Sequence, residues 1–281
     1  MKTITIYHSP DADDAFMFYG LQSGAVNIPG YEFKHDLKDI ESLNHMALRG
    51  ELDVTAVSVH AFAHLKDQYA ILSCGASLGG EKYGPRLVVK AGGNKDLSTF
   101  KYIAIPGELT SASLALRMYL KEESYEAELV NTFFDDVQAK VQSGEVDAGL
   151  LIHEGQITSY KDGLEIILDL GEWWWQRTDL PLPLGINVVK KSLGEEGMRA
   201  VQKALKCSIE YSLSHRKEAI EYALQYGRGL TVAEADEFIG MYVNEKTLDL
   251  GDNGRKTIQL FLDAAFKMRM IPMEVKPLFI P

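Results

Sequence analysis

Short apolar runs alternate with helix-length segments over most of this chain, and that alternation limits its fold more than any other feature. Thr3–His8, Tyr31–Leu37, Leu52–Val59, Tyr69–Leu72 and Arg86–Lys90 read as strands. Between them, 15–23, Asp39–Arg49 and 61–67 read as helices, the second closed by Gly50. The alternation resumes with strands at Tyr102–Ile105, Leu129–Phe133, Leu150–Ile152, Ile166–Leu170 and Ile186–Val189. Helices fall between these, one following the turn Pro106–Ser113 and running through Leu120 and one over 137–143. The last third reads as helices only, over 196–215, 216–226, 232–242 and 252–268, before an extended end at 273–281. Ala91–Asn94 looks like a crossing into a second lobe and Ile186–Val189 like the return. The expected architecture is therefore α/β with two lobes around a central ligand cleft. One lobe is 1–90 plus 187–281; the other is 91–186.

Composition narrows the class. The 281 residues are 46% apolar and 25% charged, typical of soluble globular proteins and long enough for two real cores. The net charge of -11 argues against a nucleic-acid partner, which wants clustered Lys and Arg. It leaves room for a small anionic substrate, because backbone N–H groups at a helix start bind anions without basic side chains. Cys74 and Cys207 stand far apart, in no metal or redox spacing, and read as reduced, inert thiols. Met1–Tyr7 alternates like a strand and lacks the features of a secretory leader. No apolar run approaches the roughly 18 residues of a membrane span. A cytoplasmic protein with no membrane partner is expected, and nothing in the sequence specifies an oligomer.

Several stretches carry candidate chemistry. Gly149 leads into Leu150-Leu151-Ile152, a buried strand that ends on His153 and Glu154. Open α/β sheets bind ligands at the carboxyl ends of their strands, and histidine moves protons near neutral pH. His153 is thus either a catalytic base or a ring tied to a backbone carbonyl. In Pro106–Ser113, Gly107 permits a tight turn and Thr110 and Ser111 stand at a helix start, as caps, as part of an anion site, or both. Asp11, Asp13 and Asp14 follow Ser9-Pro10 at another strand-to-helix turn. Capping and dipole pairing account for them, with a ligand-facing role open to Ser9 or Asp14. An EF-hand loop would need a Gly and a distant Glu in register, and both are missing. His60 and His64 are four apart but lack the HExxH pattern and a third ligand, so no metal is expected. The glycine-rich stretch Cys74–Gly80 matches no nucleotide-binding motif, so no cofactor is expected either. Trp173-Trp174-Trp175 cannot all face one core, which puts one in a cleft or interface, or all three in irregular packing.

Taken together, these stretches resemble a known family. His8-Ser9-Pro10 with Asp14 and Phe16–Tyr19 resembles the opening motif, SPxxND-x-F-x-F, of the MqnA/MqnD family of menaquinone biosynthesis. Glu41–Asn44 and Ala47–Gly50, Gly144–Glu154, Asp169–Trp174 and Leu180–Gly185 match its later blocks, so the resemblance runs almost end to end. The histidine and Trp–Pro blocks look like the MqnD branch, the 1,4-dihydroxy-6-naphthoate synthases, rather than the MqnA chorismate dehydratases. The resemblance implies a cytoplasmic lyase on the type II periplasmic-binding-protein fold. It would convert cyclic dehypoxanthinylfutalosine to 1,4-dihydroxy-6-naphthoate in the futalosine route, without a cofactor. It also implies His153 as proton acceptor, and substrate binding by Ala56, Val57 and Ser58 and by Thr110, Ser111 and Ala112. Glu154, or a backbone carbonyl, would orient the ring. One position departs: Asp13 stands where the family motif has Asn, and so is given no hydrogen bond that needs an amide donor. The alternatives are the sister chorismate dehydratase and a non-catalytic binder of small anions, since fold alone does not decide function.

Overall fold

The computed structural model describes residues 1–281, apart from the side chain of Glu245. The first half builds β1 (Lys2–His8), α1 (Ala12–Gln22), β2 (Tyr31–Leu37), α2 (Ile40–Leu48), β3 (Val54–Ser58), α3 (Val59–Phe62), β4 (Tyr69–Leu72) and β5 (Ser77–Leu78). The middle builds β6 (Arg86–Lys90), β7 (Tyr102–Ile105), α4 (Ser111–Glu123), β8 (Glu128–Asn131), α5 (Val137–Ser143), β9 (Ala148–Leu151), α6 (Gly155–Thr158), β10 (Leu164–Asp169) and α7 (Leu170–Thr178). The end builds β11 (Pro183–Lys190), α8 (Gly194–Ser214), α9 (Arg216–Ala223), α10 (Val232–Tyr242), α11 (Glu245–Leu248), α12 (Gly251–Lys267) and β12 (Phe279–Ile280). No helix among the described residues is long and apolar enough to cross a membrane.

Two sheets result. One runs β12-β4-β11-β3-β1-β2, with β5 added to β11; the other runs β10-β6-β9-β7-β8. Within them β1 pairs parallel with β2 and β3, and β7 parallel with β8 and β9. The two strands that follow a passage between sheets run the other way. β6 is antiparallel to β9 and β10, and β11 antiparallel to β3, β4 and β5. The expected boundary at 90/91 is therefore displaced. Arg86–Lys90 belongs to the second sheet, so the chain crosses between Leu78 and Arg86, and it returns before Pro183. The strand was legible, but only its hydrogen-bond partners decide its sheet.

Local signals set several element ends. Asp39 caps α2 by accepting from the Ser42 N–H at 3.0 Å, and Thr110 caps α4 by accepting from Ser113 at 3.1 Å. Thr231 and Glu234 form a reciprocal capping box on α10. Helix α1 is apolar nearly all round, with Phe16, Met17 and Phe18 fully buried. It packs on α8 so closely at Gly20 that a Cβ there would lie 2.9 Å from the Ser208 backbone. The tryptophans fall on α7, not on irregular chain. Trp173 and Trp174 are buried, Trp174 donating to Thr257 Oγ1 at 3.3 Å, and Trp175 is half-buried. None of the three lines the cleft.

Candidate active site

Strand β9 delivers the histidine. It lies buried between β6 and β7, and Gly149 in it admits no side chain: a Cβ there would meet Val137 at 2.6 Å and Val141 at 2.7 Å. The strand ends at Leu151, one residue short of the expected end, and the chain turns sharply at His153, whose φ of 62° lies in the left-handed region. That turn aims the ring across to the start of α1. His153 Nδ1–H donates to Asp11 Oδ2 at 2.8 Å. Nε2 is buried without a partner, and the residue lines a cavity between the two sheets. Phe134 holds the ring edge-on at 4.8 Å. A carboxylate on Nδ1 requires the proton there, so in the neutral ring Nε2 carries the free lone pair.

Asp11, not Glu154, orients this ring. The Asp11 side chain makes no cap to α1. Instead Oδ1 accepts from Arg228 Nη1 at 2.9 Å and Oδ2 also accepts from the Ser9 hydroxyl. Glu154 accepts from the same Arg228 at 2.8 Å and from the Ala12 N–H at 3.1 Å, clamping the start of α1 to the histidine turn. Burial alone pushes the Asp11 carboxyl up, but His153 and Arg228 outweigh it and hold it well below the usual carboxylate range. Burial likewise pulls His153 down, and the Asp11 charge and hydrogen bond reverse that, leaving the imidazole above its ordinary value. Both directions describe one ion pair.

Asp13 and Asp14 also line the cavity. Asp14 accepts from the Ser9 N–H at 2.9 Å, while no cation and no side-chain donor touches Asp13. Burial, together with neighbouring carboxylates, pushes Asp14 well up and Asp13 to about 7.

The opposite wall comes from the β3 end and the α4 start. Ala56 and Ser58 line the cavity; Val57, expected beside them, points into the core, as strand alternation requires. Asn44 donates to Ser58 Oγ at 3.2 Å and accepts from its N–H at 2.9 Å. Thr110, Ser111 and Ala112 are all on the wall, but their hydroxyls are committed. Thr110 Oγ1 donates to Gly107 O and caps Ser113, while Ser111 Oγ donates to Leu184 O at 2.6 Å and accepts from the His60 N–H. The first-turn N–H groups of Ser111 and Ala112 remain, with the helix dipole behind them. The cavity thus has a basic imidazole on one side and an anion-receptive helix start on the other. The space between protein atoms there, open mouth included, is about 710 Å³.

Sequence reasoning did not select Arg228, Gln156, Tyr242 or Asn187. Arg228 sits between two glycines, 217 residues from Asp11, and no local pattern joins them. Gln156 and Tyr242 meet at 2.7 Å on the wall. His60 and His64 have ring centroids 6.2 Å apart, and among the described residues no three His, Cys, Asp or Glu side chains converge as a metal site.

Comparison with known proteins places this geometry in a family. A family model described as menaquinone biosynthesis matches residues 4–267. A "1,4-dihydroxy-6-naphtoate synthase" of Thermus thermophilus is 36% identical over 281 residues, covering 100% of both chains. One of Streptomyces coelicolor is 34% identical, covering 96% of this chain and 95% of the other. The crystal structure of an Archaeoglobus fulgidus protein superposes with a TM-score of 0.90 at 41% identity, covering 96% of this chain and 98% of that one. The periplasmic aliphatic sulphonate binding protein of Escherichia coli superposes with a TM-score of 0.68 at 13% identity, covering 98% and 95%, a likeness of fold alone. The chain therefore belongs to the menaquinone biosynthesis family, and it is an enzyme on a periplasmic-binding-protein-like fold.

Proposed function

We propose that the chain is a carbon–carbon lyase that converts cyclic dehypoxanthinylfutalosine to 1,4-dihydroxy-6-naphthoate, with His153 as general base. The observation that carries the chemistry is the His153 ring itself: Nδ1 fixed on buried Asp11 and Nε2 bare at the cavity wall. Nε2 accepts a proton from the substrate, and the imidazolium that forms is held by Asp11. The released electron pair drives cleavage of the neighbouring carbon–carbon bond and ejects the sugar-derived part, and the ring left behind becomes aromatic. Aromatisation supplies driving force, so the protein mainly has to place a base, anchor a carboxylate and exclude bulk water. The Ser111 and Ala112 N–H groups receive the aromatic carboxylate, with Ala56 and Ser58 beside it. Ser9 and Asp14 support the histidine side of the cavity, and Glu154 fixes Arg228. The names of the curated relatives support the product. A cytoplasmic site of action belongs to the same proposal.

The test is an anaerobic incubation of the purified protein with cyclic dehypoxanthinylfutalosine, beside a parallel one with chorismate, each followed by mass-resolved chromatography. Dihydroxynaphthoate is expected from the first. His153→Ala is expected to lose turnover by about three powers of ten or more while still binding product. Near-normal turnover in that variant sinks the base assignment. Conversion of chorismate alone moves the protein to the sister activity, and tight binding without conversion favours a non-catalytic binder.

A further inference from the structure

The Asp13 side chain stands on the cavity wall of α1 with only the main chain of Asp14 as a hydrogen-bonding partner and with no ion pair. Three carboxyl groups line this wall, Asp11, Asp13 and Asp14, and the Glu154 charge acts on Asp13 from beside it. Asp11 has His153, Arg228 and Ser9; Glu154 has Arg228 and the Ala12 N–H; Asp14 has the Ser9 N–H. Asp13 has only the flanking Asp14 main chain. The groups facing it are Asp11 and Asp14 from its own element, His153 and Glu154 from the turn after β9, and Tyr242 from α10, with Arg228 beyond Asp11. The Arg228 charge is already spent on Asp11, Glu154 and Asp135. His153 is neutral in the form that accepts a proton. Ionising Asp13 would therefore add an uncompensated buried charge beside other carboxylates, and burial with that repulsion favours its acid form.

We propose that Asp13 is a substrate-binding hydrogen-bond donor: its un-ionised carboxyl O–H, on the cavity wall near His153, donates to an oxygen acceptor of the bound substrate. An ionised carboxylate only accepts, so it cannot fill this place. The inference rests on the proposed lyase reading for the identity of the substrate, but not for the protonation of the residue.

Two measurements test it. The first is an infrared titration of ligand-free protein. Wild type should show an un-ionised carboxyl band at pH 6 that disappears by pH 8, and Asp13→Asn should lack that band throughout. A wild-type spectrum without a band that this substitution removes overturns the proposal, whatever the substrate is. The second is kcat/KM against pH for wild type, Asp13→Asn and Asp13→Ala, with whichever of the two substrates wild type converts. In wild type kcat/KM should fall about tenfold per pH unit above the titration of Asp13. In Asp13→Asn, which keeps a donor that does not titrate, that alkaline fall should vanish. At pH 6 the Asn variant should exceed the Ala variant at least about tenfold, the loss expected for one substrate hydrogen bond. An Asn variant that retains the alkaline fall, or matches Ala, overturns the proposal. Wild type inactive on both substrates would defeat the lyase reading instead, and the infrared band would then decide Asp13 alone.

Discussion

In the proposed mechanism the His153 ring serves as a base only while Asp11 holds it. The hydrogen bond fixes which nitrogen faces the cavity, and the buried charge stabilises the imidazolium that proton transfer creates. Asp11→Asn preserves shape but lets the ring take the wrong tautomer. Its kcat should drop roughly 10²–10⁴-fold with KM changed little, as steady-state kinetics would show. A variant within twofold of wild type would mean that Asp11 serves Arg228 rather than His153. Because the imidazole is held above its ordinary value, activity should decline as pH falls through that raised value, where the base is already protonated.

At the scale of elements, the site depends on where α1 begins. That start is pinned by Glu154 on the Ala12 N–H and by Arg228 on Asp11, and the far end of the helix packs on α8 at Gly20. Gly20→Ala would put a methyl group 2.9 Å from the Ser208 Cα and carbonyl oxygen, which are backbone and cannot swing aside. The two helices must spread, at a cost of about 1–3 kcal/mol in stability. Displacing α1 also displaces Asp11, so activity should fall with it. Urea unfolding and an activity assay on the one variant check both, and wild-type stability would show that the contact relaxes at no cost.

Across the whole molecule, acid should unfold this protein early. Burial pushes His8 down to about 3 and His60 down to about 4. An unfolded chain protonates these rings near 6.5, while the folded chain keeps them neutral. Stability is therefore fully present above pH 6.5 and lost as pH falls from there towards 4, by about 1.4 kcal/mol per histidine per pH unit at most. Asp13 and Asp14 act with the opposite sign, since their raised values favour the fold at low pH and the benefit is lost as pH rises, through about 7 for Asp13. Urea unfolding of Asp13→Asn at pH 7, 6 and 5 removes the Asp13 share of that opposing contribution, and its stability should fall on acidification more steeply than that of wild type. A rise on acidification would show that the buried histidines are compensated elsewhere.

Alternating runs and cap residues determined the elements by themselves, because helix and strand periods are properties of the local chain. They also determined that His153 ends a buried strand and that Thr110 starts a helix. Three things waited for the tertiary structure. Arg86–Lys90 reads as a strand in isolation, but hydrogen bonds to β9 and β10 decide which sheet it joins. The sequence put one of the three tryptophans in a cleft or interface, or all three in irregular packing, whereas successive residues on α7 diverge by about 100°, so Trp173 and Trp174 enter the core and Trp175 is left half-buried. Above all, Asp11 looked like a helix cap because caps are local and ion pairs are not. Its partners lie 142 residues away at His153 and 217 residues away at Arg228. The sequence alone determined the strand-and-turn frame that carries His153; only folding decided which carboxylates sit beside cations, because that depends on which distant residues the chain brings within reach after water has been expelled.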